Sequence, residues 1–212
     1  ASELKRVQQL YRDEQLSEDE FAQFLQAIDD GLQLINHNLT RAAGLVRDFK
    51  LSGSIHIASD EEVFDLRACI ELSLKGLQPL LRKHHITCEL APGDAVPLNS
   101  YPGAIAQIIT NLITNSIHHA FAHTEHKRIH IALETHADKI LLHYRDNGSG
   151  IPVEIRDKIF EPFFTTARRT GGSGLGLSIV YNLVTQKLGG EIELTQDQAW
   201  GATFSIRIPY RT

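Results

Sequence analysis

Asn111-Leu-Ile-Thr-Asn115, Asp146-Asn-Gly-Ser-Gly150, Phe160-Glu-Pro-Phe-Phe164 and Gly172-Ser-Gly-Leu-Gly176 decide the reading of this chain. Each segment alone is weak. Their succession within one stretch, from residue 111 to residue 176, makes chance an unsatisfactory account.

The first segment lies in Tyr101 to Ala122, which reads as a helix. Ile105, Ile108, Ile109, Leu112 and Ser116 share one broad face at helical period. Asn111 and Asn115 share a neighbouring face, with His118 about a turn further on. Polar groups there border the core, where a ligand can reach them. An amide oxygen is a hard, neutral ligand of the kind Mg2+ accepts beside phosphates and waters. On a lone helix such a pair is simply solvated, and the later segments reverse that reading.

Lys139 to Arg145 reads as a strand running into Asp146-Asn-Gly-Ser-Gly-Ile151. Glycines there permit positive φ and close backbone approach. A carboxylate at Asp146 can accept from the exocyclic amine of adenine, whereas guanine presents a carbonyl oxygen that it repels. Gly171 to Gly176 opens a helix expected over Leu175 to Lys187, and free N–H groups at a helix start suit phosphate. The segment is no P-loop, because no Gly-Lys-Ser/Thr follows. Asp197 lies about 20 residues on, as a dinucleotide fingerprint wants, but no strand precedes the glycines.

Taken together these segments resemble the ATP-binding catalytic domain of bacterial sensor histidine kinases, within the fold shared with gyrase B, Hsp90 and MutL. Asn111 to Ala120 resembles the N box and Asp146 to Ile151 the G1 box. Phe160 to Thr166 resembles the F box, Gly172 to Val180 the G2 box and Gly201 to Phe204 the G3 turn. The resemblance covers residues 60 to 212. It implies an α+β chain: a two-layer α/β sandwich (Bergerat-type ATP-binding fold) preceded by a helical hairpin or coiled-coil segment.

By position, the resemblance makes Asn115 the Mg2+ ligand and Asn111 its phosphate-side partner. Asp146 becomes the adenine-reading acid, with Thr203 supporting it. Gly148 and Gly150 shape the adenine side and Gly172, Gly174 and Gly176 the phosphate side; Ile151, Phe160, Ser173, Leu175 and Leu177 join the nucleotide-binding set. Residues 161 to 174 resemble a mobile lid, from which Arg168 and Arg169 reach the phosphates. His118 and His119 join the nucleotide set. His118 stands where many relatives carry Lys or Arg, so its contact with phosphate is expected to depend on pH.

Before Ser52-Gly53-Ser54 lies a different pattern. Phe21, Leu25, Ile28, Leu32, Ile35, Leu39, Ala42, Val46 and Phe49 repeat at gaps of four and three, a heptad seam. Helices are expected over residues 2 to 13 and 17 to 51, with Ser17 as N-cap. Residues 1–53 thus read as a partial dimerisation hairpin and 54–212 as the ATP-binding domain. The resemblance implies a homodimer through residues 17–51 and a response-regulator receiver domain as partner. His37 lacks the acidic neighbour and proline of a phosphoacceptor, so the acceptor is expected upstream of residue 1.

Composition is consistent with this reading. A net charge of -5 argues against a nucleic-acid partner. No apolar run is long enough to span a membrane, and no signal peptide opens the chain. Cys69 and Cys88 have no metal or redox spacing and suit a reducing compartment. The expected location is cytoplasmic, whether or not the parent is membrane-anchored. The chain has no methionine and reads as an excised fragment. His119 and His123 are a helical turn apart, but no cysteine or carboxylate pair completes a zinc set. The expected activity is transfer of the γ-phosphoryl group of Mg-ATP to a histidine, for relay to a response regulator. Alternatives are a response-regulator phosphatase, a nucleotide-sensing dimerisation module, or a gyrase/MutL-type ATPase.

Overall fold

Strand β5, Lys139–Asp146, is the middle of a five-stranded sheet, and its sequence shows how the sheet is layered. Ile140, Leu142, Tyr144 and Asp146 are buried while Lys139, Leu141, His143 and Arg145 are half-exposed. This alternation is that of a strand with one face on the core. The computed structural model describes residues 2–33, 35, 60–167, 172–195 and 199–210. Leu39 to Phe49 of the heptad seam, His37, the Ser52–Ser54 linker, Asp197, Arg168 and Arg169 lie outside the described residues.

The chain divides into two units, Ala1–Val46 and Arg47–Thr212. In the first, helix α1, Ser2–Arg12, precedes helix α2, residues 18–33. Ser17 caps α2: its hydroxyl accepts the Glu20 N–H at 3.2 Å, and the Glu20 carboxylate accepts the Ser17 N–H at 3.4 Å. This reciprocal capping box satisfies two donors that a bare helix start would leave orphaned. Val7 and Leu10 meet Phe24 in a small groove flanked by the Arg6–Glu20 ion pair. The heptad positions Phe21, Leu25, Ile28, Leu32 and Ile35 do not enter that groove and are exposed.

The second unit opens with β1, Glu62–Asp65, and α3, Leu66–Lys83. Strands β2, Ile86–Leu90, and β3, Pro97–Ser100, follow, then α4, Pro102–Asn115. The hairpin strands are β4, Lys127–Thr135, and β5; helix α5, Gly176–Asn182, precedes β6, Glu191–Thr195, and β7, Ala202–Pro209. The main sheet runs β2-β4-β5-β7-β6, antiparallel except for the parallel β2–β4 pair. Helices α3, α4 and α5 form the second layer, burying Ile70, Ile105, Ile109, Leu112 and Val180 with Ile131, Leu142 and Phe204 of the sheet. Cys69 and Cys88 are free thiols. Burial pushes the Cys88 thiol up to about 12, which leaves it protonated and unreactive.

Three features depart from the pattern read in the sequence. The short strand β3 pairs antiparallel with β1, and its signal was masked by Pro97 and Asn99. The helix expected over Tyr101 to Ala122 is α-helical only to Asn115, then widens into a π-helical turn, Ser116–Ala120. The helix expected over Leu175 to Lys187 likewise ends in a π turn, Leu183–Lys187. Side-chain periodicity distinguishes these turns from an α-helix only by one residue, too little to read from sequence.

Glycine places the β5 and β7 ends together. The Gly201 N–H donates to the Asp146 carbonyl at 2.7 Å. A Cβ on Gly201 would stand 2.2 Å from the Gly148 carbonyl oxygen. The Gly148 N–H is itself held by the Asp146 carboxylate at 3.0 Å, so this backbone cannot retreat. Gly201→Ala is therefore expected to destabilise the unit by roughly 1–3 kcal/mol in urea unfolding. Gly76, exposed in α3 with nothing near its Cβ position, behaves oppositely. Gly76→Ala should stabilise by about 0.5–1 kcal/mol in the same assay.

Candidate functional site

Helix α4 starts at Pro102, where a missing N–H costs nothing, and runs with Ile108, Ile109 and Leu112 against the sheet. That orientation leaves Asn111, Thr114 and Asn115 along the edge of the layer. With the π turn they border two adjoining cavities. The larger, of about 270 Å³, is lined by Asn115, His119, Ser149, Gly150, Ile151 and Pro152 together with Ile155, Ile159, Phe164, Thr165, Thr166 and Leu177. The smaller, of about 80 Å³, is walled by Asn111, Asn115, His118, Gly172, Ser173, Gly174 and Gly176 among others. Asn115, His119, Ile159, Phe164 and Leu177 belong to both walls.

Each of the four segments therefore reaches one continuous hollow. The larger compartment is mostly apolar, with Ile151, Pro152, Ile155 and Ile159 opposite Leu177, a shape suited to a flat ring. The smaller is ringed by amides, imidazoles and glycine backbone. Asn111 is buried; its Oδ1 accepts from Gln107 at 3.2 Å, while its Nδ2 finds no partner among the described residues. A buried donor without a partner is costly, and an anionic oxygen would satisfy it.

Asp146 is only 2% exposed and does not itself line either cavity. Its Oδ1 accepts the N–H groups of Gly148 at 3.0 Å and Ala202 at 3.3 Å. Its Oδ2 accepts the Ser116 hydroxyl at 2.8 Å. Burial raises the Asp146 carboxyl above its ordinary range, and the bonds from Ser116, Gly148 and Ala202 oppose that rise.

Other predicted site residues have varied places. Gly150 (φ 72°) and Gly174 (φ 74°) occupy left-handed backbone, and a Cβ on Gly174 would strike the Phe163 backbone at 2.5 Å. With the Gly172 N–H on the Ala167 carbonyl at 3.0 Å, the two ends of the lid-like segment are clasped to each other. Gly148 packs against Ala120. Leu175 is buried beneath the glycine turn. Phe160, half-buried, is tilted against Tyr181 at 5.4 Å and meets Phe204 edge-on, outside the cavity walls. Thr203 is buried, but the Asp146 bond from β7 comes from the Ala202 N–H, and Thr203 Oγ1 has no partner among the described residues.

His119 bonds Thr166 across the hollow at 3.0 Å, and burial first, then His118, lowers its affinity for a proton. His130 is tilted against Trp200 at 5.7 Å, with Arg128 over the same indole. Sequence reasoning missed Thr114, Ser149, Pro152, Ile155, Ile159, Phe164, Thr165 and Thr166 as wall residues. The spacing of Pro152, Ile155 and Ile159 after the glycine turn was the available signal: it marks one face of the helical turn Val153–Lys158.

Residues 101–212 match the family described as histidine kinase-, DNA gyrase B- and HSP90-like ATPase. The chain is 28% identical over 186 residues to the alginate biosynthesis sensor protein KinB of Pseudomonas aeruginosa, covering 85% of this chain and 30% of that protein. It is 35% identical over 191 residues to the sensor kinase CckA of Brucella abortus (strain 2308), covering 82% of this chain and 20% of the relative. The chain thus spans less than a third of each relative's length. Among solved structures, the catalytic domain of histidine kinase ThkA superposes with a TM-score of 0.62 at 29% identity, over 72% of this chain and 99% of that one. A helix-and-sheet sandwich with this hollow between its layers, matched along more than half its length, makes the chain a member of the histidine kinase-, DNA gyrase B- and HSP90-like ATPase family.

Proposed function

We propose that the hollow binds ATP and that the chain is the ATP-binding region of a sensor histidine kinase, donating the γ-phosphoryl group to a histidine. The observation that carries this reading is the convergence of four separated segments on two joined compartments of opposite character. The apolar one accepts the adenine ring. The polar one accepts the phosphates, with the unpartnered Asn111 amide and the glycine N–H groups as donors. The Asn115 side chain, on the wall common to both, fits as the protein's ligand to Mg2+, which would supply charge neutralisation on the phosphates.

Little covalent work falls to these residues, because phosphoryl transfer depends on positioning and charge. The glycine turn lets backbone approach the phosphates, and Phe164 and Leu177 wall them on the apolar side. His118 and His119 face the same compartment. The nucleophile would be an imidazole on a helical bundle, and relay would continue to a receiver domain of a response regulator. No helix among the described residues is long and apolar enough to cross a membrane.

The exposed heptad stripe supports assembly. Leu25, Leu32 and Ile35 are each at least half exposed in the single chain, although they continue one apolar face. Such a stripe seeks a second helix, and a second copy supplies a matching one. Light scattering should show a dimer, and Ile35→Asp should shift it to monomer because a charge buried there is unpaired. A wild-type chain that remains monomeric at high concentration would dismiss the dimer.

Calorimetry should show Mg2+-dependent binding of ATP and ADP and far weaker binding of GTP. At ten times Kd, the ligand should stabilise the fold by about 1.4 kcal/mol. Asn115→Ala should remove the metal dependence while retaining the fold, and Asp146→Asn should remove adenine preference. Unchanged affinity in both variants would refute the pocket.

Asp146 also gives a pH signature without ligand. Its folded-state proton affinity is raised by burial, so its stabilising contribution is complete below the ordinary carboxylate range. That contribution is lost as pH rises through the raised value. The difference in Tm between wild type and Asp146→Asn should therefore shift toward wild type on acidification. A difference that stays flat from neutral to acid pH would show that burial does not hold the carboxyl.

A further inference from the structure

Two buried hydroxyls stand behind Asp146. Ser116 and Tyr144 are 1% and 0% exposed, and their oxygens are 2.8 Å apart. Neither lines a cavity, so neither is explained by direct contact with a ligand. A serine within a helix ordinarily turns its hydroxyl back to the carbonyl four residues earlier, which here is Leu112. That carbonyl is already taken. It receives the Ser116 backbone N–H and the Tyr144 hydroxyl, the latter at 3.1 Å. The one Tyr144 proton is shared between that carbonyl and Ser116 Oγ, 2.8 Å away, so Ser116 accepts from Tyr144. The single Ser116 proton is thereby left for Asp146 Oδ2, which it meets at 2.8 Å.

The carboxylate offers about four acceptor directions, two on each oxygen. Gly148 and Ala202 fill those of Oδ1, and Ser116 fills one of Oδ2. One acceptor direction remains, on the oxygen that Ser116 holds. The rotation of the carboxyl group, and with it the direction of that last lone pair, is set by where the Ser116 hydroxyl points. Tyr144, on the same strand as Asp146, sets that in turn by donating to Ser116 Oγ.

We propose that Ser116 and Tyr144 are positioning residues for adenine recognition: a buried hydroxyl relay that aims the remaining Asp146 lone pair at the exocyclic amine of the base. The relay rests on the ATP reading of the hollow and adds its means of choosing the base. Tyr144 acts only through Ser116, and neither touches the nucleotide.

The test compares ADP with the diphosphate of purine riboside, which lacks the amine, on the whole chain by calorimetry. Ser116→Ala and Tyr144→Phe should each weaken ADP about tenfold, the scale of one hydrogen bond to a charged group. Both should leave the affinity of the purine riboside diphosphate unchanged. The double variant should lose no more than Ser116→Ala alone. Equal losses for both nucleotides, or additive losses in the double variant, would overturn the relay and make the hydroxyls simple core supports. Should Ser116→Ala fail to fold, Tyr144→Phe keeps its ring in the core and carries the same comparison. Asp146→Asn separates the levels. If it loses amine selectivity while the hydroxyl variants keep it, the relay alone fails. If it keeps wild-type selectivity, the ATP pocket and the relay fail together.

Discussion

Everything at the site end of the sheet hangs on the double hold that Asp146 exerts. Its carbonyl takes the Gly201 N–H, and its carboxylate takes the N–H groups of Gly148 and Ala202. One residue thereby closes the turn that follows β5 and fastens the start of β7 to it. Three donors around a buried carboxylate offset its desolvation, and removing them would leave a costly unpaired charge. The cavity wall at Ser149, Gly150 and Ile151 is the outer surface of that same turn. Binding surface and fold are here one hydrogen-bonded knot, so variation at the knot is costly to both.

The helical layer contributes through a change of pitch. Helix α4 is α-helical while it packs on the sheet and widens at Ser116, after Asn115 has reached the cavity. The wider turn carries His118 and His119 to the hollow and brings Ser116 under Asp146. π turns cost hydrogen-bond geometry and recur where side chains must be re-aimed. The second one, after α5, leads into Gly190, whose Cβ position lies 2.1 Å from the Arg207 carbonyl. Only glycine passes there.

Much of the sandwich was legible because its elements follow simple periods. The strand read over Lys139 to Arg145 falls within β5, and the helix read from Tyr101 contains α4. The motif segments gave the ends that meet at the hollow. What escaped reading was set by tertiary contact. Strand β3 is only four residues and carries a proline, yet pairs because β1 offers an edge. Ser116 read as one more position on an apolar face; its partner Tyr144 lies far off in sequence, and no local pattern joins them. The groove of the hairpin uses Phe24 in place of the heptad leucines, a choice fixed by where α1 lies.

Trp200 is the sole tryptophan of the chain and precedes Gly201. It is tilted against His130 and covered by Arg128, whose backbone N–H is held by the Asn147 side chain at 2.6 Å. The indole is thus coupled through two neighbours to the turn that walls the larger compartment. The protein carries an intrinsic optical probe next to its knot, free of interference from any second indole. Imidazole and guanidinium groups both quench or shift indole emission, so displacement of either by a fraction of its contact distance alters the signal. Occupancy of the hollow becomes readable in the unlabelled molecule.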